Sequence, residues 1–353
     1  MLRPMIENMQ NAVYSQPSSG VNATYSQSEN SDGRSLQNSA SIQANTPANI
    51  EDKQLVSSDN QTVNALGNKI LNLKSTLKNA DGTSQESSAL SEEKKAVINK
   101  IMQAVMNATD SIAEGASGNI FTEDACNTLS SVISDFPQLQ MSSLFLMRLL
   151  VLKEKLLFSG SNSAVATMIE SLLSRLSAAQ GTTEGFSSVP STVMGLCTVA
   201  NILSHPSGQI FVFDSAEIAG SVVDIAVSAL SNTRVEVRQM GATVAYNFTF
   251  SFNESMLVHR SGGASRLILS GDGELNPLAV QLFCGAMEAI SSEREVAVRY
   301  RRLCVALRIV RMGGSGAKSL GRDLGFGSDI AAISPSSVLE TQVLGELRRA
   351  FAT

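Results

Sequence analysis

Tryptophan is absent from this 353-residue chain and only 5% of its residues are aromatic, so its core must be assembled from Leu, Val, Ile, Ala and Met. A core of that kind suits stacked helices. Histidine is almost as scarce, with two copies, which leaves little for acid–base chemistry near neutral pH. His205 lies in a turn, Ser204-His205-Pro206-Ser207-Gly208, and His259 closes an apolar pattern before Arg260-Ser261-Gly262-Gly263. Neither accompanies a GxSxG elbow or a cysteine with a catalytic signature, so helix-end or solvent-facing histidines are expected, and no enzyme. The four cysteines, Cys126, Cys197, Cys284 and Cys304, fit no CxxC or zinc-ligand spacing. They read as small buried hydrophobes in a reducing compartment, with no metal and no cofactor.

An apolar segment of signal-peptide length is missing near Met1, and no later run is long enough to span a bilayer. A soluble protein of the cytoplasm, or of the nucleus as well, is expected, with no membrane partner. The net charge of −5 argues against a surface tuned throughout to phosphate backbones.

What the chain does have falls into two textures. Residues 1–60 are dominated by Ser, Asn, Gln, Ala, Thr and Asp with no hydrophobic period, which predicts a disordered tail. From residue 61 to residue 353 the pattern is helical. Val63, Leu66, Ile70, Leu73 and Leu77 mark a first buried face, and a second helix begins at Ser91, whose hydroxyl is placed to cap it ahead of Glu92 and Glu93. Further patterns follow at 144–158, 164–176, 193–203, 219–230, 235–250, 277–290, 296–312 and 338–351. The one β-like stretch, Gln209-Ile210-Phe211-Val212-Phe213, is as compatible with a helical turn. So many short apolar helices on short links predict an all-α fold, an armadillo or HEAT-like α-solenoid.

Glycine runs invite one chemical reading. Gly313-Gly314-Ser315-Gly316-Ala317-Lys318-Ser319 is superficially a phosphate loop but lacks the GxxxxGK[ST] spacing and follows a helix, so a helix–helix linker is expected. The arginines are more informative. Arg294, Arg299, Arg301, Arg302, Arg308 and Arg311 fall in one segment. Helical spacing gives Val296, Tyr300, Leu303, Leu307 and Val310 as the buried face, Arg294, Arg301 and Arg308 as one flank, and Arg302 as the other. Either this is a solvated face with salt bridges to Glu293 and Glu295, or it is the wall of a groove for an acidic peptide. Nucleic acid is disfavoured by the acidic total and by the lack of interleaved aromatics.

Three segments, taken in order, resemble the PUL domain, the armadillo-like module of the phospholipase-A2-activating protein family of ubiquitin-pathway adaptors. They are Leu196-Cys197-Thr198-Val199-Ala200-Asn201-Ile202-Leu203 with Ser207-Gly208-Gln209, the run Val237 to Thr249 with its Ala242-Thr243-Val244-Ala245-Tyr246-Asn247, and Arg302-Leu303-Cys304-Val305-Ala306-Leu307. The resemblance implies a non-catalytic adaptor whose basic groove binds the acidic C-terminal tail of the hexameric AAA ATPase called valosin-containing protein. It places Arg302 at one groove arginine and Cys197 where the family carries a second basic residue, with Arg238 or Arg301 as compensating cations. Asn201 and Asn247 are retained, as ligand contacts or as core hydrogen bonders, and Arg308 replaces the usual glycine. Family members usually carry a propeller or a peptidase domain upstream, so a stand-alone module and a fragment of a longer protein are both expected alternatives. A general armadillo scaffold for another acidic peptide is the remaining one.

Overall fold

Apolar residues recurring three and four apart become packed helices over most of the chain. The computed structural model describes residues 60–72, 74–78, 84–88, 90–107, 123–153, 163–178, 185–204, 206–250 and 275–352. The polar tail, His205 and His259 lie outside the described residues. The chain divides into Met1–Asp59 and Asn60–Thr353, and every described element belongs to the second unit.

Its elements are α1 (Asn60–Leu71), β1 (Lys74–Lys78), β2 (Ser84–Ser88), α2 (Glu92–Asn107), α3 (Glu123–Asp135), α4 (Gln140–Lys153), α5 (Ser163–Ser177), α6 (Val189–Ser204), α7 (Pro206–Asp214), α8 (Ala216–Leu230), α9 (Val235–Phe250), α10 (Pro277–Met287), α11 (Val296–Asp323), α12 (Phe326–Ala332) and α13 (Val338–Ala352). Two rows of helices pack on each other. In one row α4, α6, α9, α11 and α13 follow side by side, and in the other α3, α5, α8 and α10 do the same. Each α6–α9–α11 neighbour is backed by a member of the second row, the two-layer arrangement of an α-solenoid. Ile98, Leu129, Leu144, Phe145, Phe186, Phe248 and Phe283 are fully buried. Among the described residues no helix is long and apolar enough to cross a membrane.

Two local features differ from the sequence expectation. The first helix stops at Leu71, and Leu77 belongs instead to β1, which pairs antiparallel with β2 so that Lys74 faces Ser88 and Lys78 faces Ser84. A spacing of four satisfies both a helix face and a strand face, so Leu73 and Leu77 could not separate the two. The glycine-rich segment is no loop either. α11 continues through it with one break at Gly314, whose φ of 53° and ψ of −129° only glycine adopts without strain. Of the two conformations open to the β-like Gln209–Phe213 stretch, the helical one is adopted, within α7.

The α6–α7 corner explains why Gly208 and Gln209 stand together. A Cβ on Gly208 would lie 2.0 Å from the Ile202 carbonyl oxygen, too close for any side chain. Gln209 then donates from Nε2 to the Leu203 carbonyl at 2.7 Å, capping the end of α6. Gly208→Ala is expected to lower stability by about 1–3 kcal/mol, because backbone and not a mobile side chain must give way. A urea unfolding midpoint equal to wild type would show the corner to be pliable.

Candidate functional site

α11 runs within the first row, against α9 on one side, α13 on the other, and α10 behind. Leu303, Leu307 and Val310 are buried as their spacing requires, whereas Tyr300 is half-buried and Val296 is 38% exposed. The simple two-face picture fails because a central helix is covered on several sides. Arg299, Arg301 and Arg302 are consequently all buried, at 9%, 6% and 4% exposure.

Arg302 does not emerge on an open wall. Its Nε donates to the Ala286 carbonyl at 2.9 Å, and its Nη2 donates to the carbonyls of Gly285, at 3.3 Å, and Glu288. These are carbonyls at the end of α10, which lack intrahelical donors. A guanidinium fork placed there satisfies several at once and meets the negative helix end. Burial pushes Arg302 below its ordinary pKa, with Glu293 and Glu288 pulling it back up. It remains a cation at neutral pH.

Arg238, on α9, is also engaged. It clasps Glu293 in a two-point fork, Nε to Oε2 at 2.9 Å and Nη2 to Oε1 at 3.2 Å, and its Nη1 donates to the Asn232 and Thr233 carbonyls after α8. Burial works to raise the Glu293 carboxyl, but hydrogen bonds from Arg238 and the Glu295 amide and the charges of Arg238 and Arg302 outweigh it, and its pKa is lowered. Arg299 extends the chain of charges to α13. It donates to both carboxylate oxygens of the fully buried Glu340, at 2.6 and 3.1 Å, to Ser336 Oγ at 2.8 Å, and to the Glu293 carbonyl at 3.0 Å. Arg238 and Arg302 line one cleft of about 410 Å³ together with Glu288, Glu293 and Arg294. Arg294 precedes α11 instead of continuing the flank of Arg301 and Arg308.

The remaining candidates belong elsewhere. Gly195 on α6 faces Phe186 and Leu176, and Gly241 on α9 faces Ala229, so these sides of the two helices meet the second row. Cys197 lies two residues round from Gly195, on the side that meets α9, where its Sγ is 3.2 Å from Met240 Sδ. Asn247 donates to the Ala200 carbonyl at 2.9 Å and is buried, a tie between α6 and α9. Asn201 is buried too, and its Nδ2 finds no partner among the described residues.

Along the α9–α11 seam the Arg308 guanidinium lies 4.0 Å from the centre of the Tyr246 ring and donates to the Tyr246 carbonyl at 2.9 Å. A cation over an aromatic face is attracted by the ring quadrupole. Tyr300 and Cys304 share a hydrogen bond beside it, and Arg301 is close enough to act on both Tyr246 and Cys304. Burial raises the Tyr246 phenol, Arg308 and Arg301 oppose it, and burial raises Tyr300 and the Cys304 thiol as well. Arg308 and Tyr300 are half-buried and Arg311, paired with Glu346 at 2.5 Å, is exposed, so the seam opens to solvent. All four cysteines are free thiols, and burial pushes Cys126 up to about 11. Among the described residues no group of acidic, histidine or cysteine side chains could hold a metal ion.

The Arg308–Tyr246 pair has no signature in the sequence, where the two residues stand 62 positions apart. Capping by long polar side chains is hidden there for the same reason. Gln140 donates to the Ile133 carbonyl ending α3, and Arg348 to the Ile330 and Ile333 carbonyls ending α12. Gln209 and Arg302 fasten the ends of α6 and α10 in the same manner.

No curated protein matches the chain. The PUL domain model matches residues 52–335, which spans α1 to α12 and includes the three motif segments. The Gly208-Gln209 step, Asn247 and Arg302 are the fastenings just described, and the match covers most of the chain. This chain belongs to the PUL domain family, whose members are protein-interaction modules.

Proposed function

We propose that the α6–α9–α11 face docks an acidic peptide, and that its partner is the C-terminal tail of the valosin-containing AAA ATPase, making the chain a non-catalytic adaptor of the ubiquitin pathway in the cytoplasm or nucleus. The observation that carries the reading is the open seam where Arg308 covers Tyr246 beside Arg301 and Tyr300. The half-buried Arg308 guanidinium suits a carboxylate on a flexible tail, with the buried Arg301 adding positive charge behind it, and the half-buried Tyr300 offers apolar area to a tail side chain. Cys197, buried against the half-buried Met240, leaves this stretch of the face uncharged where the family has a further cation, so Arg308 supplies the accessible positive charge here. Arg302 and Arg238 serve this face indirectly, by fixing α11 and α9 in place.

The test is fluorescence anisotropy with a labelled acidic tail peptide ending in its native carboxylate. Arg308→Glu is expected to weaken binding about 10- to 100-fold, the scale of removing one charge-assisted hydrogen bond and setting a like charge in its place. Far-UV circular dichroism establishes that the variant is folded. Equal affinity for both proteins would remove the seam from the binding surface. Should capture from cell extract recover another acidic protein and no AAA ATPase, the general-scaffold reading replaces the named partner.

A further inference from the structure

The cleft of about 410 Å³ between the ends of α8, α9, α10 and α11 holds two exposed charges, Glu288 and Arg294, that neither the fold nor the docking face uses. Three guanidiniums, Arg238, Arg294 and Arg302, and two carboxylates, Glu288 and Glu293, line it. Arg238 and Glu293 neutralise each other in their fork. Arg302 has its Nε and Nη2 on α10 carbonyls, and its Nη1 approaches only Glu293 Oε2, at 3.8 Å. What remains is one exposed charge of each sign. Arg294 makes no hydrogen bond or ion pair among the described residues, and the Glu288 carboxylate accepts from Ser231 Oγ, at 3.1 Å, and feels the buried Arg302 charge without an ion-pair contact to it. Between them lies Ala289, held at φ 51°, a left-handed conformation unusual for a residue with a side chain. Such strain costs about 1–3 kcal/mol and persists only where surrounding structure fixes it. Arg302 supplies that fixing through the Glu288 carbonyl on one side, and the Ile290–Ser292 turn supplies it on the other.

A purely acidic ligand would meet two carboxylates here, and a purely basic one three guanidiniums. Charge complementarity therefore selects a ligand with both signs. We propose that this cleft is a second peptide-recognition site, for an extended segment carrying a basic and an acidic side chain close together, the basic one on Glu288 and the acidic one on Arg294. The small apolar floor of Leu230 and Ala289 takes the backbone between them. This site is independent of the acidic-tail reading, since the residues that would contact the ligand, Glu288 and Arg294, take no part in the α6–α9–α11 docking face.

The probe is acetyl-Lys-Ala-Glu amide, followed through the Nε–H resonances of Arg238, Arg294 and Arg302 in the full chain. A saturable shift of these resonances is expected, with the Lys→Gln and the Glu→Gln peptides each binding about fivefold more weakly, the scale of one exposed ion pair. Arg294→Gln is expected to bind the parent peptide as weakly as wild type binds the Glu→Gln form, and Glu288→Gln as weakly as wild type binds the Lys→Gln form. Both positions are exposed, so neither variant threatens the fold. A shift that does not saturate, a single-charge peptide or inorganic phosphate that binds as tightly as the parent, or indifference to both variants would overturn the proposal. Arg308→Glu serves as the control that should leave this binding unchanged.

Discussion

Glu340→Ala is expected to destabilise the domain by about 3–5 kcal/mol, because it leaves the Arg299 guanidinium buried without its carboxylate. Glu340 is fully buried and accepts from Arg299 at both oxygens and from the Ser336 amide at 2.6 Å. Urea unfolding followed by circular dichroism measures the loss. The double variant Arg299→Met with Glu340→Leu is expected to recover most of it, since replacing both members of a buried pair removes two desolvation costs together. A single variant with wild-type stability would mean that water reaches the pair freely.

The same carboxylate sets a pH dependence whose sign follows from its shift. Burial tends to raise the pKa of Glu340, but the Arg299 hydrogen bonds, the Ser336 amide and the Arg299 charge outweigh it and lower it. Glu293 is lowered in the same way. A folded-state pKa below the unfolded one contributes stability above the ordinary glutamate value, about 4.3, and that stability is lost as pH falls through the folded value. Arg299 is raised, chiefly by its hydrogen bond to Glu340, and stays charged throughout, adding nothing to this window. Wild-type stability should therefore decline on acidification below the ordinary glutamate range. Glu340→Ala should decline less steeply, keeping only the Glu293 share.

Arg302→Ala is the second large effect, again about 3–5 kcal/mol, because carbonyls of Gly285, Ala286 and Glu288 lose their shared donor at once. Arg302→Lys should recover little, as an ammonium cannot reproduce the planar fork. The experiment also separates two roles. If Arg302 fastens α10, the folded fraction of the lysine variant, assayed at low temperature, binds the acidic tail peptide with near wild-type affinity. If Arg302 contacts the tail, affinity falls while stability holds.

Arg302 also shows why a site is harder to read than a fold. Its spacing from Leu303 and Leu307 correctly assigns it to α11, but the sequence treats α11 as a surface helix with one buried stripe. The helix is instead packed against α9, α10 and α13, so an arginine off the stripe meets another helix end and not solvent. Glu293 and Glu340, its neighbours in the charge network, lie 9 positions before it and 38 after it, beyond any periodic signal. Asn247 and Gln209 are legible as motif residues, yet only their bonds to Ala200 and Leu203 show them to be ties between helices.

Hydrophobic periodicity alone determined that the chain from about residue 60 is a stack of helices, because each apolar stripe needs a neighbour and a solenoid supplies one to every helix in turn. The motif order in the same sequence was enough to indicate the family. Only the tertiary structure decided what the arginines do. A guanidinium binds a helix-end carbonyl, a buried carboxylate or an outside ligand with the same donors, and which it meets depends on what packing brings within about 3 Å. Arg299 and Arg302 meet the interior and Arg308 a tyrosine face at an open seam, while Arg294 meets nothing among the described residues.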